Sequence, residues 1–199
     1  MINIDRLDKS SPYMKFYKHY DDCVSKKQKY PEAIVISSYD SNTNEVDARF
    51  VNLKYILGEE WIFFTNYNSP KSHQINEHKQ ISAVLHWDSI DVQIRLKAYA
   101  KKTSEIFSNK HFNLRSDAKN ALAISSKQSS PIKTYEEVIS NFNKVMLEKD
   151  SYEKRPSYWG GYSFTPYIIE FWKGHESRLN KRIRYTKVEK SWEVEILQP

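Results

Sequence analysis

Residues 92–101 read VQIRLKAYAK, in which Val92, Ile94, Leu96, Ala98 and Ala100 alternate strictly with Gln93, Arg95, Lys97, Tyr99 and Lys101. A period of two sends the apolar set to one face of an extended chain and the polar set to the other, so this segment is expected to be a long, half-buried strand. Working outward, Ile81 to Trp87 reads as its neighbour, and Ala33 to Ser38 with Glu45 to Leu57 read as a hairpin around the turn chemistry of Asp40-Ser41-Asn42-Thr43-Asn44. Gly58-Glu59-Glu60 turns the chain into a strand from Trp61 to Asn66. Near the C-terminus, Tyr167 to Trp172, Lys181 to Val188 and Trp192 to Leu197 return to extended patterns. About seven strands joined mostly by short turns point to an antiparallel barrel.

Helices are inserted among these strands. Ser11-Pro12 resembles a cap followed by a first-turn proline, and Tyr13, Phe16, Tyr17, Tyr20 and Val24 follow at helical spacing, which predicts a helix over about 12–29. Ser69-Pro70 opens a shorter helix to about His78. Thr103-Ser104 can cap one running to about Asn113, and Thr134-x-x-Glu137 is a capping box before Val138, Ile139, Phe142, Val145 and Met146. The fold class expected is mainly β with helical additions. Without a repeat or a break in composition, residues 1–199 are expected to form one domain.

Composition narrows the chemistry. The chain has 199 residues, a mean hydropathy of -0.74 and 14% aromatic residues, a combination of polar surface and aromatic core that disordered chains lack. One cysteine, Cys23, rules out an intrachain disulfide framework and suits a reducing compartment, so a cytoplasmic protein is expected. The N-terminal MINIDRLDKS carries no apolar stretch of the kind a signal peptide needs. Four glycines, at 58, 160, 161 and 174, cannot spell a dinucleotide fingerprint or a Walker loop. Six histidines fall in no paired-ligand spacing, so no metal is expected. Phosphate, if bound, must be held by cationic side chains. Residues 173–190 hold seven Lys or Arg against two Glu, a net +5 of the chain's +6, so an anion is expected near this segment. Composition leaves three readings of it open: a solvated charged face, a diffuse patch for nucleic acid, and discrete phosphate clamps.

Seven motifs in order decide between them. RFVNLK at 49–54 is followed by FFTN at 63–66 and SPK at 69–71, then by Gln93, by SKQSS at 126–130, by P-x-x-WGGY at 156–162 with IEFW at 169–172, and by SRLNKRIRY at 177–185. This series resembles the pyridoxamine 5'-phosphate oxidases, FMN enzymes with a split β-barrel, and the likeness runs from about Tyr13 to the last residues. The resemblance implies an FMN-dependent oxidase of pyridoxamine or pyridoxine 5'-phosphate, giving pyridoxal 5'-phosphate and hydrogen peroxide with dioxygen as acceptor. It implies FMN contacts from Arg49, the backbone of Phe50, Val51, Asn52 and Leu53, Lys54, Phe64, Thr65, Lys71 and Gln93. It also implies a homodimer whose second subunit supplies Gln128, Ser129, Trp172 and Arg182. For the substrate phosphate it points to Lys54, His111, Arg115 and Lys119, and for the ring to Arg178 and Asn180, with Arg178 the candidate for a direct part in the chemistry. It favours clamps over nucleic acid, and no membrane partner is expected.

Four positions depart from the family pattern. Pro70 stands where the family has an arginine beside the FMN phosphate, His111 and Lys119 stand where it has tyrosine and serine, and Asn180 replaces the histidine of R-x-H. An amide can hydrogen bond but cannot titrate near neutrality. Two alternatives therefore stand beside the oxidase: an FMN split-barrel oxidoreductase for another small aromatic substrate, and a non-catalytic, polyanion-binding split-barrel dimer.

Overall fold

The computed structural model describes residues 1–199, the side chain at position 149 excepted. Nine strands and five α-helices alternate as β1 (Asn3–Asp5), α1 (Ser11–Ser25), β2 (Ala33–Asp40), β3 (Glu45–Leu57), β4 (Glu60–Asn66), α2 (Pro70–Glu77), β5 (Gln80–Trp87), β6 (Val92–Lys102), α3 (Glu105–Asn113), α4 (Asp117–Ser125), α5 (Tyr135–Leu147), β7 (Trp159–Lys173), β8 (Lys181–Val188) and β9 (Ser191–Leu197). Strand pairing runs β3-β2-β5-β6-β7-β4 and returns from β4 to β3, closing a six-stranded antiparallel barrel. Closure leaves the barrel strands without free edges.

The alternating stretch of β6 behaves as its period demands. Val92, Ile94, Leu96, Ala98 and Ala100 are buried, and their partners on β5 and β7 (Ile81, Ala83, Leu85, Ile169, Phe171) share the same core. Helix α1 covers one end of that core with Tyr13, Phe16, Tyr20 and Cys23, and the Phe16 ring packs on Trp61 at a centroid distance of 4.5 Å and on Trp87 at 5.6 Å. Cys23 is fully buried, and burial raises its thiol to about 12, which leaves it inert.

Strand β7 positions the functional surfaces. Its first half, Trp159–Phe164, pairs with β4 and closes the barrel; its second half, Ile168–Lys173, pairs instead with β8, which carries β9 outward. Between the halves the register with β6 shifts at Lys97/Ala98, opposite Pro166, where a proline without an N–H is tolerated.

Boundaries differ from the sequence expectation in four places. Helix α1 has Ser10 at its N-cap position, without a side-chain cap bond, and ends at Ser25, short of 29, because Lys27 takes φ 59 and the Lys27 and Gln28 amides close back on Val24 and Cys23. Strand β7 starts eight residues before Tyr167, since flanking strands absorb both glycines and Pro166. Helix α4 and the short β1, which runs parallel to the end of β3, carry periodicity too brief to read. No helix is long and apolar enough to cross a membrane.

Candidate active site

A cavity of about 660 Å³ opens between the outer face of β3, the end of β4, the start of α2 and helices α3 and α4. On β3, Arg49, Phe50, Val51, Asn52 and Lys54 line it, joined by Phe64 and Thr65 from β4 and by Lys71 from α2. His111, Arg115 and Lys119 form the helical wall, and Gln128 with Ser129 closes one side. Asp47 is the one carboxylate among these lining residues, against five Arg or Lys.

Lys54 owes its place to a bulge. The β3–β4 register passes from Leu53↔Phe63 to Tyr55↔Ile62, leaving Lys54 as the extra residue, so Leu53 and Ile56 stay in the core while Lys54 turns to the cavity. The Leu53 side chain is fully buried in the core and does not line the cavity, so the contact expected there rests on its backbone alone.

The cations fall into two groups. Arg49 is held by Ser38 Oγ at 2.6 Å, by Gln74 Oε1 at 3.3 Å and by Asp47 at 3.4 Å, with both Ser38 and Gln74 buried. Beside it the buried Lys71 Nζ donates to Thr65 Oγ1 and Ser69 Oγ, each at 3.1 Å. No carboxylate is paired with Lys71 among the described residues, and burial, with Arg49 nearby, lowers its pKa to about 8. The second group is Lys54, Arg115 and Lys119: burial lowers the Lys54 pKa, and although Glu32 opposes this, Lys119 and Arg115 reinforce it. The Arg115 guanidinium lies over the Trp159 ring at 4.3 Å, donates to Lys119 O at 2.6 Å, and has its buried Nη1 without a partner; burial brings its pKa down to about 10. His111 lies flat on Phe64, centroids 3.7 Å apart at 12°, and burial with Arg115, Lys54 and Lys119 lowers it to about 4. It is a neutral imidazole at neutral pH.

Gln128 is a correction. Its Oε1 accepts from Thr65 Oγ1 at 3.3 Å and from the Asn66 amide at 3.2 Å of its own chain, so it and Ser129 do not have to come from a second subunit. The segment after α4 folds back across the end of β4. Pro70 stands at the first position of α2 as a cavity wall without a donor.

The remaining expected residues lie apart from this cavity. Gln93, Trp172 and Arg182 form one cross-strand row on β6, β7 and β8. Trp172 is thirteen residues along β7 from the cavity-lining Trp159, roughly 40 Å of strand at about 3.3 Å per residue. Arg178 and Asn180 sit on the turn between β7 and β8, where Asn180 Oδ1 accepts from the His175 amide at 3.1 Å and Arg178 takes φ 59. The C-terminal charge cluster is also partly spent: Arg182 pairs with the buried Glu170 at 2.8 Å, Arg184 with Glu195 at 2.7 Å, and Lys187 with Glu59. The cavity's own cations, Arg49, Lys54, Lys71, Arg115 and Lys119, come from other segments. Sequence reading missed Trp159, Ser38, Gln74 and Tyr55, whose roles depend on partners distant in the chain.

Comparison with known proteins fixes the family. The pyridoxine/pyridoxamine 5'-phosphate oxidase of Vesicomyosocius okutanii is 33% identical over 200 residues, covering 100% of this chain and 92% of that protein. The chain belongs to the pyridoxine/pyridoxamine 5'-phosphate oxidase family. The Coxiella burnetii member is 31% identical over the whole of both chains. Residues 159–199 match the family model described as the pyridoxine 5'-phosphate oxidase C-terminal dimerisation region. Among solved structures, PhzG from Burkholderia lata 383, in complex with tetrahydrophenazine-1-carboxylic acid, superposes with a TM-score of 0.89 at 24% identity over 96% of this chain and 93% of that one. An FMN-binding, pyridoxamine 5'-phosphate oxidase-related protein from Nostoc punctiforme gives 0.77 at 13% identity, over 96% of this chain and 99% of that one. The barrel is therefore the family's split barrel, as the motifs implied.

Proposed function

We propose that this member of the oxidase family is an FMN-dependent oxidase of pyridoxamine or pyridoxine 5'-phosphate that works as a homodimer. One observation carries the reading: a single cavity holds two separate cation groups, Arg49 with Lys71 and Lys54 with Arg115 and Lys119, as two phosphate-bearing molecules side by side require. A buried ammonium without a carboxylate, and a buried guanidinium nitrogen without an acceptor, are donors suited to such anions.

In this reading Arg49, Thr65 and Lys71 hold the FMN phosphate, while the β3 backbone from Phe50 to Leu53 lies along the cofactor. Held there, FMN would supply a two-electron acceptor for oxidation of the substrate at C4', with dioxygen as the final acceptor and hydrogen peroxide as its product. Lys54, Arg115, Lys119 and His111 anchor the substrate phosphate and so fix the ring's position. The row Gln93, Trp172 and Arg182 does not line this cavity. It fits the cofactor of a second copy, which agrees with the dimerisation region matched at 159–199. Arg178 and Asn180 would then cover the substrate ring from the partner subunit, with Arg178 able to act as a hydrogen-bond donor and fixed charge.

The test is a visible spectrum of the FMN-reconstituted protein before and after anaerobic addition of pyridoxamine 5'-phosphate. A flavin band that bleaches and returns with air is the expected result. A band that persists refutes this substrate and leaves an FMN oxidoreductase for another small aromatic molecule; absence of any band refutes FMN binding.

A further inference from the structure

Tyr55 belongs to no motif considered above, yet among the described residues it makes the one hydrogen bond of the His111 ring. Its hydroxyl lies 2.8 Å from His111 Nδ1, and its ring stands edge-on to His111, Phe64 and Phe107 at centroid distances of 5.3, 6.1 and 5.3 Å. The bulge at Lys54 sets this geometry, because it sends Lys54 and Tyr55 to different places from adjacent positions.

Two cavities share His111 as a wall. One is the main cavity; the other, of about 370 Å³, is lined by Tyr55, Phe107, Lys110 and Leu114 together with Asn3, Asp5 and Arg6 near the N-terminus. Tyr55 lines only the second cavity. The Nδ1 edge is therefore turned toward Tyr55 and the second cavity, which leaves the Nε2 edge for the first.

Proton placement follows from the neighbours. The charged groups facing the ring are cations on the main-cavity side: Lys54 from β3, Arg115 from the α3–α4 connection and Lys119 from α4. On the other side stand Lys110 of its own helix and the mutually paired Asp5 and Arg6 at the end of β1. Among these the imidazole is neutral and carries one proton. Burial raises the Tyr55 phenol above its usual range, so the hydroxyl keeps its hydrogen and can donate it to a bare Nδ1 or accept from an Nδ1–H. An Nδ1 that accepts must be unprotonated, and the ring's proton then sits on Nε2.

We propose that Tyr55 is a positioning residue: by donating to His111 Nδ1 it locks the imidazole as the Nε2–H tautomer and presents that N–H to the phosphate held by Lys54, Arg115 and Lys119. The proposal rests on the substrate reading above. In a group of three cations, a neutral donor adds a hydrogen bond to the phosphate without further charge repulsion, and Phe64 beneath the ring fixes its plane.

Long-range imidazole ¹H–¹⁵N spectra of the FMN-reconstituted protein test it, with the His111 signals assigned by their loss in His111→Gln. The wild type should show a single Nε2–H tautomer between pH 6 and 8, and Tyr55→Phe, which keeps the ring, should show a tautomer mixture. Binding of 4-deoxypyridoxine 5'-phosphate, which has the phosphate but no oxidisable group at C4', should weaken roughly three- to tenfold in Tyr55→Phe. A variant that only disturbed packing would weaken binding without changing the tautomer. An Nδ1–H tautomer in the wild type, or an unchanged tautomer in Tyr55→Phe, overturns the proposal. The expected tautomers with binding to neither protein would instead refute the substrate reading, and with it the role given to His111.

Discussion

The buried ammonium of Lys71 should make the protein's stability depend on pH in a way that one substitution removes. In the folded protein without ligand its pKa is about 8, against 10.5 for an ordinary lysine, with burial the main cause and Arg49 the second. Below pH 8 both folded and unfolded chains are protonated, and the folded state carries the full penalty of a charge held away from water. Between 8 and 10.5 the unfolded chain keeps its proton while the folded one has lost it, so unfolding takes up a proton and stability rises with pH. At roughly 1.4 kcal/mol per tenfold change in proton affinity, the gain is capped at about 3 kcal/mol. In a chain of this size that corresponds to roughly 6–12 °C in Tm. Replacing Lys71 by methionine removes the charge and keeps most of the volume, so Lys71→Met should be more stable than the wild type at pH 7, by up to this amount, and the two should converge near pH 10.5. Thermal unfolding of both ligand-free proteins across pH 7 to 10.5 measures the difference directly. Adding FMN should abolish the wild-type rise, since a phosphate beside Lys71 restores its affinity for the proton. Parallel stability curves for the two proteins would refute the reasoning.

Three further outcomes are expected. Glu170→Gln, which removes the buried carboxylate between Arg182 and Arg95, should cost about 2 kcal/mol in urea unfolding, less than a fully buried pair because Arg182 is partly exposed. Gly161→Ala should destabilise by about 1–3 kcal/mol and displace Phe64, because its Cβ would lie 2.7 Å from Thr103 Oγ1 and 3.0 Å from the Phe64 ring; near-ultraviolet circular dichroism and urea unfolding report both effects. Arg182→Ala should lower the flavin content of the purified dimer while leaving the ligand-free chain folded, and unchanged flavin content would remove Arg182 from the cofactor site.

What could be read from the sequence was local. The alternation from Val92 to Ala100 needs no partner to be seen, and Ser104 and Thr134 cap their helices as their spacing says, accepting from the amides of Phe107 and Glu137. Motif order carried the candidate site further than periodicity could, since it drew Arg49, Lys71 and Arg115 together across more than sixty positions. The pairings that adjust the site were hidden for the opposite reason. Lys54 reaches the cavity through a bulge that exists only when β4 lies alongside, and Tyr55 meets His111 fifty-six positions later in the chain. The net charge of residues 173–190 overstates the free cations there, because the count leaves out Glu59, Glu170 and Glu195, which the fold brings to Lys187, Arg182 and Arg184.

The loss of an arginine at Pro70 can be weighed against what remains. Arg49 is tied to Ser38, Gln74 and Asp47, and Arg182 to Glu170, so each would meet an anion with part of its donor capacity already in use. Lys71 has only hydroxyl acceptors, and its charge is destabilising in the folded protein until an anion arrives. Part of the cofactor's affinity would then come from relief of that penalty rather than from the number of cationic contacts, so one buried lysine can stand in for a missing surface-facing guanidinium. The same logic ties binding to assembly. The cations assigned to the phosphate line a cavity that the Gln93–Trp172–Arg182 row does not reach, so on that assignment a cofactor touching both would bridge two chains, and its binding would favour the dimer by mass action.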